Sequence, residues 1–315
     1  KKLSEKILIT GGAGFIGSHL SEICVKKGYD VVVFDRYNIE NTWGWLEKSK
    51  YKKDLNVILG DIRDYDSVYK AMKDCNSVIH LAALIGIPYS YISPMAYIKT
   101  NTEGTYNVLE SAKNLSLNQI LITSTSEVYG TAQYAPIDES HPVIGQSPYS
   151  ATKIAADQLA ISYNRSFNLP VKIVRPFNTY GPRQSQRAII PTIINQALNG
   201  VKKINLGSVY PTRDLTHVED TCSGFLEIYK SKELFGNVTN IGMNNEISIE
   251  DLFYKIRDII QIDFKINKDN TRVRPKNSEV ERLVCNNSKL RKQTSWIPKY
   301  NLDKGLDNTI NWYKN

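Results

Sequence analysis

Residues 6–17 read Lys-Ile-Leu-Ile-Thr-Gly-Gly-Ala-Gly-Phe-Ile-Gly. A short apolar run ends in a cluster of glycines. In the stretch that follows, Ile16, Leu20, Ile23 and Cys24 fall on one helical face. Gly12, Gly14 and Gly17 fit the spacing G-x-G-x-x-G, and Gly11, Gly14 and Gly17 fit the wider G-x-x-G-x-x-G. Such a turn needs glycine because a Cβ blocks both the tight bend and the approach of a pyrophosphate to backbone N–H groups at a helix N-terminus. A second apolar run, Val31-Val32-Val33-Phe34, ends at Asp35, which lies 35 − 17 = 18 residues beyond the last glycine. An acid about 20 residues on is placed to hold the ribose hydroxyls, and its charge repels a 2′-phosphate. The pattern therefore predicts a dinucleotide site that takes NAD rather than NADP.

The same alternation continues outward. Further strands are expected at 57–59, 77–81, 119–122, 171–174 and 237–241, with helical patterns over 101–112 and 149–163 between them. Strands that are apolar throughout, separated by helices, predict an α/β fold with a Rossmann-type, doubly wound parallel sheet. After Val174 the texture changes, with Pro176, Pro182, Pro191 and Pro211 in quick succession and a tail rich in Lys, Asn and Arg. Residues 1–177, with 212–243 returning to them, are expected to form the NAD-binding domain. Residues 178–211 and 244–315 are expected to form a smaller C-terminal substrate-binding domain. The segment 38–56, with Trp43, Trp45 and several lysines, reads as an inserted surface helix or loop whose tryptophans pack.

The 315 residues fit two domains at about 150 residues each. Hydrophobic residues at 41% and charged residues at 23% exclude a disordered chain. The formal charge of 40 − 32 = +8 suits any polyanion, small phosphorylated ligands included. The lysine pairs at 26–27, 52–53 and 202–203 are scattered and belong to no nucleic-acid module, so no nucleic-acid partner is expected. No stretch of about 20 apolar residues predicts a membrane span. Residues 1–6 carry no apolar leader, which points to the cytoplasm. Cys24, Cys75, Cys222 and Cys285 are far apart and read as reduced thiols; His19, His80, His141 and His217 are too dispersed for a metal centre. No metal is expected.

Chemistry enters with Pro148-Tyr149-Ser150-Ala151-Thr152-Lys153, which opens a helix and places Tyr149 and Lys153 on one face at i, i+4. Tyrosine, with a pKa near 10, is a weak base at neutral pH unless a cation stabilises its anion. Lys153 and an oxidised nicotinamide both do so. Thr125 ends a strand where such sheets bind ligands.

With these pieces the chain resembles the extended short-chain dehydrogenase/reductase family over nearly its whole length. The matching residues are the Gly11–Gly17 loop, Asp35, Gly60-Asp61-Ile62, His80-Leu81-Ala82-Ala83, Asn101 with Gly104-Thr105, Tyr149-x-x-x-Lys153, Arg175-Pro176-Phe177-Asn178 and Arg213-Asp214. The resemblance implies that Tyr149 takes a proton from a sugar hydroxyl as hydride passes to NAD. It implies that Lys153 holds the ribose and lowers the tyrosine pKa, and that Thr125 hydrogen-bonds the same hydroxyl. Gly11, Gly14, Phe15, Ile16, Gly17, Asp35, Leu81, Ala82 and Ala83 are the implied cofactor contacts, with Asp61 and Ile62 flanking the adenine. Asn178 is implied to meet the substrate diphosphate, with Arg213 and Arg274 as its charge partners. Members of the family commonly dimerise through helices at about 101–115 and 149–163, so a homodimer is expected.

Glu127, in Thr125-Ser126-Glu127-Val128-Tyr129-Gly130, selects among reactions. Sugar 4-epimerases of the family usually carry a small or hydroxyl residue there. A carboxylate beside the ring can remove the C5 proton once C4 is a ketone; the C6 hydroxyl then leaves as water and the hydride returns to C6. Many hexose 4,6-dehydratases carry Asp where this chain has Ser126, so the pattern is closer to GDP-mannose dehydratases, with Glu127 as both base and acid. Thr-Ser-Glu-Val-Tyr-Gly also occurs in UDP-glucuronate decarboxylases. The wider runs 146–157, 177–184 and 274–280 look most like the nucleotide-sugar 4,6-dehydratase of bacterial legionaminic acid synthesis, which acts on a nucleotide-activated N-acetylglucosamine. UDP-glucuronate decarboxylase, nucleotide-sugar 4-epimerase and, remotely, a non-catalytic NAD-sensing regulator remain as alternatives. The last has no need of Tyr149, Lys153 and Glu127 together.

Overall fold

The computed structural model describes residues 4–315; Lys1, Lys2 and Leu3, part of the N-terminal stretch noted above, lie outside the described residues. The opening run forms strand β1 (Lys6–Thr10), and the glycine turn leads into helix α1 (Phe15–Lys26). Strands β2 (Asp30–Arg36), β3 (Leu55–Gly60), β4 (Ser77–His80), β5 (Gln119–Thr123) and β6 (Val171–Pro176) follow. With Val238–Ile241 they make one seven-stranded sheet in the order β3-β2-β1-β4-β5-β6-(Val238–Ile241), parallel at every pairing. The direction of winding reverses between β1 and β4. In such sheets ligands bind beyond the carboxyl ends of the strands at that reversal, here the segments after Thr10 and His80.

The strands read as apolar throughout because both faces of the sheet are covered. Ile7, Ile9, Val31 and Val33 pack on one side with Cys222, Phe225 and Leu226 of the Val218–Lys230 helix. Leu8, Val32, Ile120 and Ile122 pack on the other with Val108, Leu109 and Ala160. A fully buried Ile or Leu contributes roughly 1.5–3 kcal/mol, which favours helical cover for both faces over one face left to water.

Two local readings sharpen. Segment 38–56 holds two single-turn helices, Gly44–Leu46 and Lys52–Asp54, before β3; Trp43 packs on the core, while Trp45 is exposed with its ring centre 5.7 Å from that of Trp312. The helix expected over 101–112 begins as a widened π turn, Ile98–Glu103, before the regular Gly104–Asn114. At that turn Asn101 faces inward: it accepts from the Leu84 N–H at 2.8 Å and donates to the Leu84 carbonyl at 2.9 Å and to Thr152 Oγ1 at 3.1 Å. The wide turn thus ties the loop after β4 to the helix that bears Tyr149.

A separate core joins the helices Ile189–Leu198, Ile249–Ile260 and Leu302–Lys314 through Ile190, Ile194, Leu252, Phe253, Leu306 and Ile310. A parallel pair, Lys203–Leu206 with Lys265–Lys268, closes its edge. The tail does not stay there. Leu290 and Trp296, expected in the smaller unit, are buried in the cluster beneath β1, because the Trp296 indole N–H finds the Asp220 carbonyl at 3.0 Å. Residues 280–285 also lie against 131–137, with Ile137 N–H donating to Val284 O at 2.8 Å and Ala132 N–H to Arg282 O at 3.1 Å. Among the described residues no helix is long and apolar enough to cross a membrane.

Candidate active site

At the glycine turn, Gly11 has φ +69°, and a Cβ there would lie 2.7 Å from the Ala82 nitrogen; one on Gly17 would lie 2.0 Å from the Gly11 carbonyl. These two are glycine so that the loop can close on itself and on β4. Gly14 differs. It is exposed, and the nearest atom to its Cβ would be Gly11 O at 3.4 Å, so the chain itself leaves room there. A cradle that a side chain would fill fits the approach of a pyrophosphate to the start of α1.

Asp35 accepts the Ala13 N–H through Oδ2 and the Arg36 N–H through Oδ1, each at 2.7 Å. Burial raises its carboxyl against these two bonds. It therefore shapes the turn, a role the spacing did not reveal. Leu81 and Ala82 donate their N–H groups to Thr10 Oγ1 at 3.1 and 3.2 Å, which fixes the floor at the end of β4, and Ala83 follows part-exposed. Phe15 stands edge-on to His19, and Ile16 packs against the core. Asp61 is held in a two-pronged pair with Arg63 at 2.6–3.1 Å, and Ile62 is buried against the Gly104 helix with its carbonyl bound by Asn107. His80, pressed down by burial to about 3, is a neutral brace between Thr10 (2.6 Å) and Thr105 (3.1 Å).

Tyr149 and Lys153 are set by the start of the Pro148–Phe167 helix. Ser147 caps it reciprocally with Ser150, and Pro148 takes the first position, where no N–H is needed. Tyr149 is 6% exposed, its ring edge-on to Tyr97 at 6.3 Å. Burial pushes its phenol well up; the Thr125 hydroxyl pulls it down, while the charge of Glu127 pushes it up further. Lys153 Nζ donates to the Thr123 carbonyl at 3.0 Å. Burial pushes its amine down to about 8, and Asp157 opposes the fall. Thr125 caps the next turn by accepting the Glu127 N–H at 3.2 Å. Ser126 is buried, and no hydrogen bond from its hydroxyl is found among the described residues.

Behind this trio lies a carboxylate that sequence reasoning passed over. Asp157 accepts from Ser124 Oγ at 2.7 Å and from Arg175 Nε and Nη2 at 3.1 and 2.9 Å, all buried. Its position four residues beyond Lys153 on one helical face was the available signal.

Just beyond β6, Asn178 Oδ1 is buried without a partner among the described residues. The buried Arg213 guanidinium donates from Nη1 to the Thr212 carbonyl at 2.8 Å, and its Nη2 lies 3.6 Å from Glu279 Oε1. Arg274 Nη1 approaches the same oxygen at 3.5 Å. Burial lowers Arg213, Glu127 and Glu279 hold it up, and Arg274 opposes them, so two carboxylates and two guanidiniums share this wall. Glu279 has no periodic signature and was not anticipated. Tyr91 and Ser278 join hydroxyls at 2.6 Å, and Gln146 Nε2 donates to the Glu279 carbonyl at 3.2 Å, so residues 274–279 are stitched to both sides of the site. Tyr89 is half-exposed.

The glycine turn thus follows β1, and Glu127 lies near enough to the buried Tyr149 to act on its phenol. The sequence model of the GDP-mannose 4,6 dehydratase family matches residues 8–309. The chain belongs to that family. This member of the extended short-chain dehydrogenase/reductase group is similar to proteins of differing chemistry. It is 32% identical, over 98% of both chains, to a putative UDP-glucose 4-epimerase of Methanocaldococcus jannaschii. It is 31% identical, over 99% of this chain and 98% of the other, to a UDP-N-acetyl-alpha-D-glucosaminuronate decarboxylase of Bacillus cytotoxicus. A crystal structure of a dTDP-glucose 4,6-dehydratase from Streptomyces venezuelae with NAD bound superimposes with a TM-score of 0.88 at 27% identity, covering 98% of this chain and 97% of that one. The cofactor of this family member is NAD, and the Gly14 cradle with Asp35 fits it.

Proposed function

We propose that the protein is an NAD-dependent nucleotide-sugar 4,6-dehydratase that makes a 4-keto-6-deoxy sugar from UDP- or GDP-linked N-acetylglucosamine, as in legionaminic acid synthesis. The observation that carries this reading is Glu127. It is a part-buried carboxylate close enough to act on both the Tyr149 phenol and the Arg213 guanidinium. Bound NAD supplies an acceptor for the C4 hydride and its return to C6. Tyr149 accepts the C4 hydroxyl proton, with Thr125 fixing that hydroxyl. Because burial disfavours the phenolate, the Lys153 ammonium one turn along the helix is the protein's counter-charge. Glu127 then removes the C5 proton and, now a carboxylic acid, delivers it to the departing C6 hydroxyl, which leaves as water. As hydride returns to C6, C5 takes up a proton, in net balance the one Tyr149 took from the C4 hydroxyl. General acid–base work of this kind supplies roughly 10²–10⁴-fold.

Asn178, Arg213 and Arg274 hold the diphosphate in this scheme, Asp61 and Ile62 border the adenine, and residues 178–211 and 244–315 close over the sugar. We assign the protein to the cytoplasm, where its four free thiols stay reduced. A homodimer is proposed through the helices at about 101–115 and 149–163, on the first of which Tyr106 is exposed; a monomer by light scattering would exclude it. The deciding experiment incubates protein and NAD with UDP- and GDP-linked N-acetylglucosamine, glucose, mannose and glucuronate, read by mass spectrometry. Loss of water is expected. Loss of carbon dioxide identifies a decarboxylase, and an unchanged mass with altered sugar stereochemistry an epimerase.

A further inference from the structure

The wall formed by Arg213, Arg274 and Glu279 differs from the tight buried and bidentate arginine–carboxylate pairs of this protein. Arg175 meets Asp157 at 2.9 and 3.1 Å, and Arg282 meets Glu246 at 3.0 Å through Nε to both oxygens. Those are settled, charge-assisted bonds. Arg213 and Arg274 instead approach a single oxygen of Glu279 at 3.6 and 3.5 Å, although Arg213 and Glu279 are only 9% and 8% exposed. A guanidinium carries five N–H donors. Arg213 spends one on Thr212, and among the described residues no other hydrogen bond from it is found. This is the geometry of cations neutralised at a distance, with donors left over.

The backbone beneath Glu279 is anchored. Its N–H donates to the Pro275 carbonyl at 3.1 Å, its carbonyl accepts from Gln146, and its neighbour Ser278 is tied to Tyr91. The backbone of this loop is thus tied down, so a rearrangement at this wall would fall to the Glu279 side chain. The local charges also decide something. Two guanidiniums balance Glu127 and Glu279 in the ligand-free protein; a diphosphate arriving with both carboxylates in place would meet a neutral site and two like charges. Glu127 cannot withdraw without leaving the sugar ring.

We infer that Glu279 is an internal occupant of the anion site: its carboxylate neutralises Arg213 and Arg274 until a nucleoside diphosphate takes the two guanidiniums over, and it returns as product leaves. The inference rests on the nucleotide-sugar reading above and adds a residue that sets how tightly the diphosphate is held. In this role Glu279 weakens ground-state binding and speeds release. A carboxylate that merely oriented the arginines would strengthen binding.

Calorimetric titration of the NAD-loaded protein with UDP, GDP and inorganic pyrophosphate separates the two. Glu279→Gln is expected to bind the preferred diphosphate at least about tenfold more tightly, because a like charge has been removed from beside it. Glu279→Asp, shorter by one methylene and less disruptive to folding, is expected to show a smaller gain. Combining Glu279→Gln with Arg274→Met is expected to abolish the gain, since the freed guanidinium is what the diphosphate uses. Unchanged or weaker binding in both single variants, with NAD affinity and melting temperature retained, would overturn the inference. If none of the three probes binds the parent protein or the variants, the nucleotide-sugar reading itself falls.

Discussion

Replacing Asp157 by Ala breaks a buried ion pair from one side only. Asp157 and Arg175 are 1% and 5% exposed, so the remaining guanidinium is stranded out of water with its two bonds to Oδ2 gone, and Ser124 Oγ loses its acceptor. Removing one partner of such a pair costs about 3–5 kcal/mol. With about 2.1 cal/mol/K of unfolding entropy per residue, the 315-residue chain should melt about 5–8 °C lower. Removing both charges tells whether the pair is the cause: Asp157→Ala with Arg175→Met leaves no stranded charge and is expected to regain most of the loss. It will not regain all of it, because Arg175 also lies over the Tyr129 ring at 4.9 Å. A second readout reaches the site. Asp157 is the charge that opposes the fall of the Lys153 amine, which burial places at about 8. Without Asp157 that amine drops further, and the limb of the C4-oxidation pH profile that reports loss of the Lys153 proton moves to lower pH. Differential scanning calorimetry and the pH dependence of NADH formation measure the two effects. A loss under about 1 kcal/mol, as for an exposed pair, or a double variant no more stable than the single one, would refute the reasoning.

Glu127→Gln is expected to keep C4 oxidation, seen as NADH absorbance in the presence of substrate, while water loss falls by roughly 10²–10⁴-fold; unimpaired dehydration by mass spectrometry would remove Glu127 from the mechanism. Lys153→Met probes the burial of the amine. The unfolded chain holds the Lys153 proton up to its ordinary 10.5 and the folded chain only to about 8, so this group's stability contribution rises with pH between those values. At pH 7 the variant is therefore expected to unfold less readily by up to about 3 kcal/mol, reduced by the lost bond to the Thr123 carbonyl, although it is impaired in catalysis. That advantage should fade toward pH 10.5 in denaturant titrations, and parallel pH profiles for the two proteins would contradict it.

The parallel sheet was legible because its strands carry apolar runs, 7–9, 31–34 and 120–122 among them, that are buried from end to end. Gly11, Gly14 and Gly17 announced the cradle, and the i, i+4 spacing of Tyr149 and Lys153 put them on one helix face. Spacing did not disclose what neutralises what. Asp35 looked like a ribose ligand alone, yet it also accepts the Ala13 N–H, a contact made across 22 residues. Arg213 and Arg274 were expected as charge partners of a diphosphate alone, and their carboxylate, Glu279, is brought to Arg213 by the path of the C-terminal tail. Long-range electrostatics of this kind has no period in sequence. The π turn at Ile98–Glu103 was hidden for a related reason: it follows from Asn101 bonding the Leu84 backbone across 17 residues, not from local helix propensity.

The tail visits the smaller core with Phe253 and Phe264, lies along residues 131–137 with Val284, sends Trp296 beneath β1, and goes back to the smaller core with Leu306 and Ile310. Such interleaving makes the substrate-facing part poor material for transplantation. A chimera that exchanges residues 244–315 with those of a relative would import half of several interlocked seams at once. Changes in sugar preference are thus more readily reached by single replacements along the cleft than by swapping a module, and a lineage diversifying this scaffold would be expected to leave the same trace.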